Sequence, residues 1–204
     1  MPLLEETFVG PHVSQRLAWM NPPATFTLGA GGLELQPSAG TDLWQRTHYG
    51  FRVDTAHALL AKAAGDFIVE TSLAFEPLHQ YDQAGLLVRL SPDCWLKTSI
   101  EFEGGVEPSR LGAVVTNRGW SDWSTQSVPA AVRSARYRVR RRSGDYLVEH
   151  ATHEGEWVQL RLAHLEEDDG HTPVYAGIYA CSPKRAGLSV RFHWLRLQDA
   201  DEPA

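Results

Sequence analysis

The chain has 204 residues with 19 basic and 25 acidic side chains, a formal net charge of -6 and a pI near 5.8, so as a whole it repels a phosphate backbone and nucleic acid is not an expected partner. Hydrophobic residues make up 43% of it, including seven Trp, seven Phe and six Tyr, which is enough to fill a sizeable core and argues against disorder. All-β sandwiches reach this length as one unit, so a single domain over residues 1–204 is expected.

The amino-terminal MPLLEETFVGPH has two acids where a signal peptide carries positive charge. No later run approaches the ~20 continuous apolar residues of a membrane span, so a cytoplasmic protein with no membrane contact is expected. The best helical candidate, AHALLAKAAG at 56–65, is short and reads equally well as strand plus loop. Residues 83–90, QAGLLVRL, alternate: Ala84, Leu86, Val88 and Leu90 fall on one side, Gln83, Gly85, Leu87 and Arg89 on the other. After Ser91, Pro92 and Asp93 the alternation resumes over 94–103, with Cys94, Leu96, Thr98, Ile100 and Phe102 against Trp95, Lys97, Ser99, Glu101 and Glu103. The pattern predicts a hairpin whose even residues are buried and whose odd residues line the opposite face.

RYRVRRR at 136–142, WVQLRLA at 157–163, VYAGIYAC at 174–181 and SVRFHWLRL at 189–197 are further strand candidates. Turn signals separate them: EGG at 103–105, SGD at 143–145, HEGE at 153–156 and SPKRAG at 182–187. The closing DADEPA reads as a solvated tail. These elements predict an all-β fold of two packed antiparallel sheets, a sandwich or jelly roll with one polar outer or concave face. Cys94 and Cys181 make no disulfide framework and are expected as free, buried thiols.

Five motifs carry a family resemblance: TDLW at 41–44, YDQAGLLVR at 81–89, WLKTSIE at 95–101, VVTNRGWSDWS at 114–124 and YAGIYACSP at 175–183. In this order, over most of the chain, they resemble the DUF1349 family. The resemblance implies a concanavalin A-like lectin/glucanase jelly roll. The biochemical role of that family is largely undefined, some members being labelled regulators of enolase, and the fold's wider relatives include glycan-binding modules and glucanases.

Candidate chemistry gathers in the hairpin and in GWSDWSTQ at 119–126. With Leu90 facing Cys94 across a three-residue loop, antiparallel register sets Gln83 opposite Glu101, Gly85 opposite Ser99, Leu87 opposite Lys97 and Arg89 opposite Trp95. Gly85 then leaves a shallow floor ringed by Gln83, Lys97 and Glu101, which suits a sugar; the plain alternative is a solvated face with cross-strand charge pairs. In a regular strand Trp120 and Trp123 point to opposite faces, one anchoring the core and the other lining a cleft beside Asp122. The alternative is a turn braced by Ser121, Asp122 and Ser124, with both rings inward.

Glu101 and Glu103 lie two apart, so their Cα atoms are about 6.5 Å apart and their carboxyls can reach the roughly 5 Å spacing of a retaining glycosidase. The Glu-x-Asp-x-Glu and Glu-x-Asp-x-x-Glu strands of comparable glucanases are absent, which counts against hydrolysis. His150 and His153 have no Cys partner and no metal-binding pattern, and no metal or cofactor is expected. Arg136, Arg138, Arg140 and Arg142 share one strand face, expected to be a solvated outer surface, with an anionic ligand or acidic partner as the alternative.

The sequence thus predicts a non-catalytic binding module for a carbohydrate or carbohydrate-like metabolite. One site is expected to join Gln83, Lys97 and Glu101 to Asp122 and at least one of Trp44, Trp120 and Trp123. Two other readings stand beside it: a glycoside-acting enzyme using Glu101, with Glu103 or Asp122 as the second carboxylate, and a protein-interaction module regulating a metabolic enzyme.

Overall fold

The computed structural model describes residues 3–151 and 155–200. The described residues form the strands β1 Leu4–Glu6, β2 Leu17–Met20, β3 Phe26–Gly29, β4 Gly32–Leu35, β5 Leu43–Gln45, β6 Arg52–Asp54, β7 His57–Ala63, β8 Phe67–Glu76, β9 Gln83–Ser91, β10 Cys94–Glu101, β11 Ser109–Asn117 and β12 Trp120–Val128. They continue with β13 Ser134–Arg142, β14 Asp145–Ala151, β15 Val158–His164, β16 Val174–Cys181 and β17 Ser189–Asp199. No helix occurs among them, and so none long and apolar enough to cross a membrane. His153 and Glu154 of the HEGE turn signal and residues 201–204 of the expected tail lie outside the described residues.

Two antiparallel sheets pack face to face, as predicted. One runs β15-β14-β13-β8-β17-β4-β3 with β1 added on β17; the other runs β12-β11-β10-β9-β16-β7-β2. Their facing sides make one core, to which β9 gives Ala84, Leu86 and Val88, β10 gives Leu96 and Ile100, and β13 gives Tyr137 and Val139. SVRFHWLRL shows how the period survives an irregularity. Val190 and Phe192 face the core, a bulge between Phe192 and Trp194 shifts the phase, and Leu195 and Leu197 face the core again.

The predicted β9–β10 register holds from Trp95↔Arg89 to Glu101↔Gln83. The turn differs: Cys94 pairs with Ser91, leaving a two-residue connection, and a bulge takes up Leu90. Gly85 is required for a reason other than a ligand floor, because a Cβ there would stand 1.9 Å from the Thr98 carbonyl oxygen of the neighbouring strand. The helical candidate is β7. It alternates Leu59, Ala61 and Ala63 into the central core with Ala58 and Leu60 into a second cluster, and burial on both faces erases the polar half of the pattern.

That second cluster corrects the expectation of an open polar face. The hairpin β5–β6 forms its own small sheet over the outer side of the seven-stranded sheet. Leu43 and Trp44 pack there against Leu87, Trp95, Val114, Tyr179 and Cys181. Leu87 and Trp95 are fully buried, and Lys97 is only 3% exposed, so the odd residues of the hairpin lie under a roof.

The arginine face is corrected too. Arg142 is exposed, but Arg138 is 5% exposed, clamped by Glu149 at 2.7 and 2.8 Å and stacked 4.2 Å from the Trp157 ring centroid. Arg141, on the core side, is fully buried and donates to Asp168, to the Gly65 carbonyl at 2.6 Å and to the Thr172 carbonyl at 3.1 Å. Both cysteines are free and buried; burial raises the Cys94 thiol to about 11.

Candidate functional site

The roof is held by polar contacts that the sequence does not announce. Gln45 N donates to Ser121 Oγ at 2.9 Å, Gln45 Nε2 donates to the Pro92 carbonyl at 3.2 Å, and Arg52 Nε donates to Gln45 Oε1 at 2.8 Å. Thr116 and Ser121 share a hydroxyl hydrogen bond at 2.8 Å. The serine between the two tryptophans of β12 is therefore the buried residue of that segment, and both rings are exposed: Trp120 by 57% and Trp123 by 36%. The rings do point to opposite faces. Trp123 stands opposite Val114 of the roofed cluster, whereas Asp122 stands opposite Val115 of the central core. Neither ring anchors the core because β12 is the last strand of its sheet and lies beyond the edge of the packing.

Between the two roof strands the chain turns through Arg46, His48 and Gly50, all at positive φ (57°, 64° and 76°). Two of these are non-glycine residues in the left-handed region, a costly arrangement that occurs where a loop is held to a specific shape. Its effect is to present rings. Tyr49 and Phe51 stack at 5.8 Å with their planes 21° apart, and Tyr49 meets Trp44 edge-on at 5.5 Å. Trp44 Nε1 donates to the Thr47 carbonyl at 3.0 Å, which fixes the indole.

Beneath these rings lies a cavity of about 620 Å³, floored by Asp42, Lys97 and Glu101 and walled by Trp44, Tyr49, Phe51 and Trp123, with Tyr81, Glu103 and Lys184 at its end. Lys97 Nζ sits 3.3 Å from Asp42 Oδ1 and 5.8 Å from the Tyr179 ring centroid. Burial alone would lower the Lys97 pKa, but the charges of Asp42, Cys181 and Glu101 and the Asp42 hydrogen bond outweigh it, and the ammonium is held charged. Glu101 behaves differently. Desolvation raises its pKa from 4.5 to about 7, aided by Asp42 and Glu103, against the opposing effects of Lys97 and of the Gln83 hydrogen bond.

Gln83 does not line the cavity; it organises the floor from below. Its Nε2 donates to Glu101 Oε2 at 2.7 Å and to the Tyr81 carbonyl at 3.1 Å, while its Oε1 accepts from Tyr179 OH at 3.0 Å and Ser99 Oγ at 3.5 Å. The amide uses both donors and both acceptor sites and is locked.

Of the residues singled out from the sequence, Trp44, Lys97, Glu101, Glu103 and Trp123 line this one cavity, with Gln83 in support. Trp120 and Asp122 do not. They line a second cavity of about 850 Å³ at the edge between the sheets, where Asp122 pairs with Arg161 of β15 at 2.9 Å and the Arg46 guanidinium lies 5.5 Å from the Trp120 ring centroid. Asp122 and Glu101 thus face different cavities, because directly opposed strand residues share a face and Asp122 shares that of Val115. Asp42, Tyr49, Phe51, Tyr81 and Lys184 were missed. The one available signal was ring density around a turn glycine in HYGF at 48–51. Among the described residues no group of three or more His, Cys, Asp or Glu side chains is placed to hold a metal ion.

The two antiparallel sheets make this a β-sandwich protein of jelly-roll type, with a charged floor and an aromatic wall on one outer side. The chain belongs to the family described as "Protein of unknown function (DUF1349)", whose model matches residues 19–200. It is 33% identical over 174 residues to "Regulation of enolase protein 1" of Saccharomyces cerevisiae, covering 85% of each chain. It superposes with a TM-score of 0.83 on the crystal structure of a functionally unknown protein from Saccharomyces cerevisiae, at 31% identity, covering 92% of this chain and 98% of that one. A xylan β-1,4-xylosidase from Bacillus halodurans C-125 gives a TM-score of 0.73 at 15% identity, over 96% of this chain and 39% of the xylosidase, a likeness of fold alone.

Proposed function

We propose that the cavity over Lys97 and Glu101 is a binding site for a neutral carbohydrate or carbohydrate-like small molecule, in a cytoplasmic module that does not turn the ligand over. One observation carries this reading: the only groups at the floor are a neutralised Lys97–Asp42 pair and a Glu101 that has no basic side chain within ion-pair distance among the described residues, under a wall of aromatic rings. Rings match the apolar faces of a pyranose, and a carboxylate held in place accepts hydroxyl donors, the combination of apolar lining and a few fixed polar groups that small-ligand sites use. Its test is a titration of the protein against a neutral glycan panel, read by tryptophan fluorescence and calorimetry. A saturable binder whose affinity falls by ~1 to 3 kcal/mol in Glu101→Gln or Lys97→Met supports the site; binding indifferent to both removes it.

A second reading has its own support, the name of the yeast relative, which assigns that protein to regulation of enolase. Here the protein is an interaction module for a metabolic enzyme. Co-elution of the purified chain with enolase from the same organism, and a change in enolase rate on mixing, supports it; separate elution at micromolar concentrations of both opposes it.

A further inference from the structure

The second cavity shares three side chains with the first, Trp44, Tyr49 and Trp123, which makes them the partition between two chambers. We propose that the second chamber is a subsite for further units of the same ligand, so that the protein takes an oligosaccharide chain and not a single sugar. This rests on the carbohydrate reading above and extends it.

The partition is ring-faced. Tyr49 is 56% exposed, so a ligand seated over Glu101 meets an aromatic surface that is open to solvent on that side. Beyond the partition Trp120 offers a platform. The Arg46 guanidinium lies 5.5 Å from its ring centroid, and among the described residues no other aromatic ring pairs with this half-exposed ring on an edge strand. A large ring exposed in this way is not required by the core, from which it is excluded. Two residues along the same strand, the exposed Asp122 and its partner, the partly buried Arg161, supply an acceptor and donors beside the ring. The volumes, about 620 and about 850 Å³, each fall in the range of roughly 300–1,000 Å³ typical of small-ligand sites, so each chamber holds its own portion of one chain. A flat protein partner is disfavoured because the surface leads inward to a charged floor.

The experiment is a length series: calorimetric titration of the full chain with cello- and malto-oligosaccharides of one to six units, after an array of neutral glycans. Affinity is expected to climb by about tenfold or more between one and four units in at least one series. Trp120→Ala should erase the climb and leave monosaccharide binding unchanged, and Trp120→Phe should restore most of it; the exposure of Trp120 makes both substitutions compatible with folding, checked by circular dichroism. Monosaccharides binding as tightly as hexamers, with loss only in Glu101→Gln, would overturn the second chamber while leaving the first. Failure of every neutral glycan on the array overturns both. Length-independent glycan binding, together with loss of a protein complex in Trp120→Ala, overturns the second chamber in favour of a docking surface.

Discussion

Gln83 faces Glu101 across the β9–β10 ladder, and its side-chain amide donates to Glu101 Oε2 at 2.7 Å. That hydrogen bond adds to the larger effect of the Lys97 charge in supporting a carboxylate otherwise penalised by burial. Its folded pKa of about 7 lies above the ordinary 4.5, so the folded protein binds more protons than the unfolded chain in between. Stability from this group is fully present below pH 4.5 and is lost as the pH rises through 7. Glu101→Gln should flatten the pH dependence of the unfolding free energy between these values, by roughly 3 kcal/mol across the window. Denaturant titrations at pH 4.5, 6 and 7.5 check this, and parallel curves for the two proteins would contradict it. Ligand affinity should run the other way, rising through pH 7 as the charged acceptor forms, and not in Glu101→Gln.

The buried Arg141–Asp168 pair makes a stability prediction independent of the site. Burial alone would raise the Asp168 pKa, but hydrogen bonds from Arg141, Tyr146 and the Gly170 amide outweigh it and hold the carboxyl below its usual range. Asp168→Ala strands a guanidinium that is fully buried, and should cost roughly 3–5 kcal/mol. Adding Arg141→Met should recover part of that loss, which a double-mutant cycle in urea measures; a second loss on top of the first would argue against the account.

Gly85→Ala tests why a glycine stands in the middle of β9. The added Cβ would collide with the Thr98 carbonyl oxygen, a backbone atom that cannot rotate away. A loss of more than about 3 kcal/mol, or failure to fold, is expected. A neutral alanine would show instead that the position is open.

Ser121→Ala removes the tether between the roof and β12, leaving the Gln45 amide without its acceptor. The expected cost is about 1 to 3 kcal/mol. Hydrogen exchange should localise it, with the Gln45 amide losing protection while the amides of β10 keep theirs.

No release of reducing sugar is expected from xylans, glucans or their oligosaccharides. Glu103 shares the cavity with Glu101, yet it accepts from Gln80 Nε2 at 3.1 Å and lies 3.5 Å from Arg110, while Asp42 is tied to Lys97. Neither is left free to attack a sugar carbon or to activate water. Turnover abolished by Glu101→Gln would sink this reading.

The parts of this arrangement that were legible in the sequence depend on short-range pattern. Leu86 and Ile100 face the core because period two admits no other phase, and the Gln83↔Glu101 register holds because the bulge at Leu90 makes up for a turn one residue shorter than predicted. The roof was not legible, because Asp42 reaches Lys97 across 55 positions and nothing local in TDLW indicates a partner. In β12 the pattern misled: on an edge strand the small polar Ser121 is the buried residue and the tryptophans flank it, so ring size does not report burial there. Arg138 was misjudged because Glu70, Glu149 and Trp157, which bury it, come from three other segments.

The roof hairpin has one more consequence. Among the described strands β5 and β6 pair only with each other, so the ladder that carries Trp44 and frames Tyr49 and Phe51 has no rung in common with either large sheet. Its segment can be exchanged without re-registering any strand of the sandwich. A chimaera carrying another member's residues 42–54 on this scaffold, with Asp42, Leu43, Trp44, Gln45 and Asp54 kept because they tie the segment to Lys97, Ser121, Arg89 and the second cluster, should fold as the parent does, and under the carbohydrate reading its glycan preference should follow the donor.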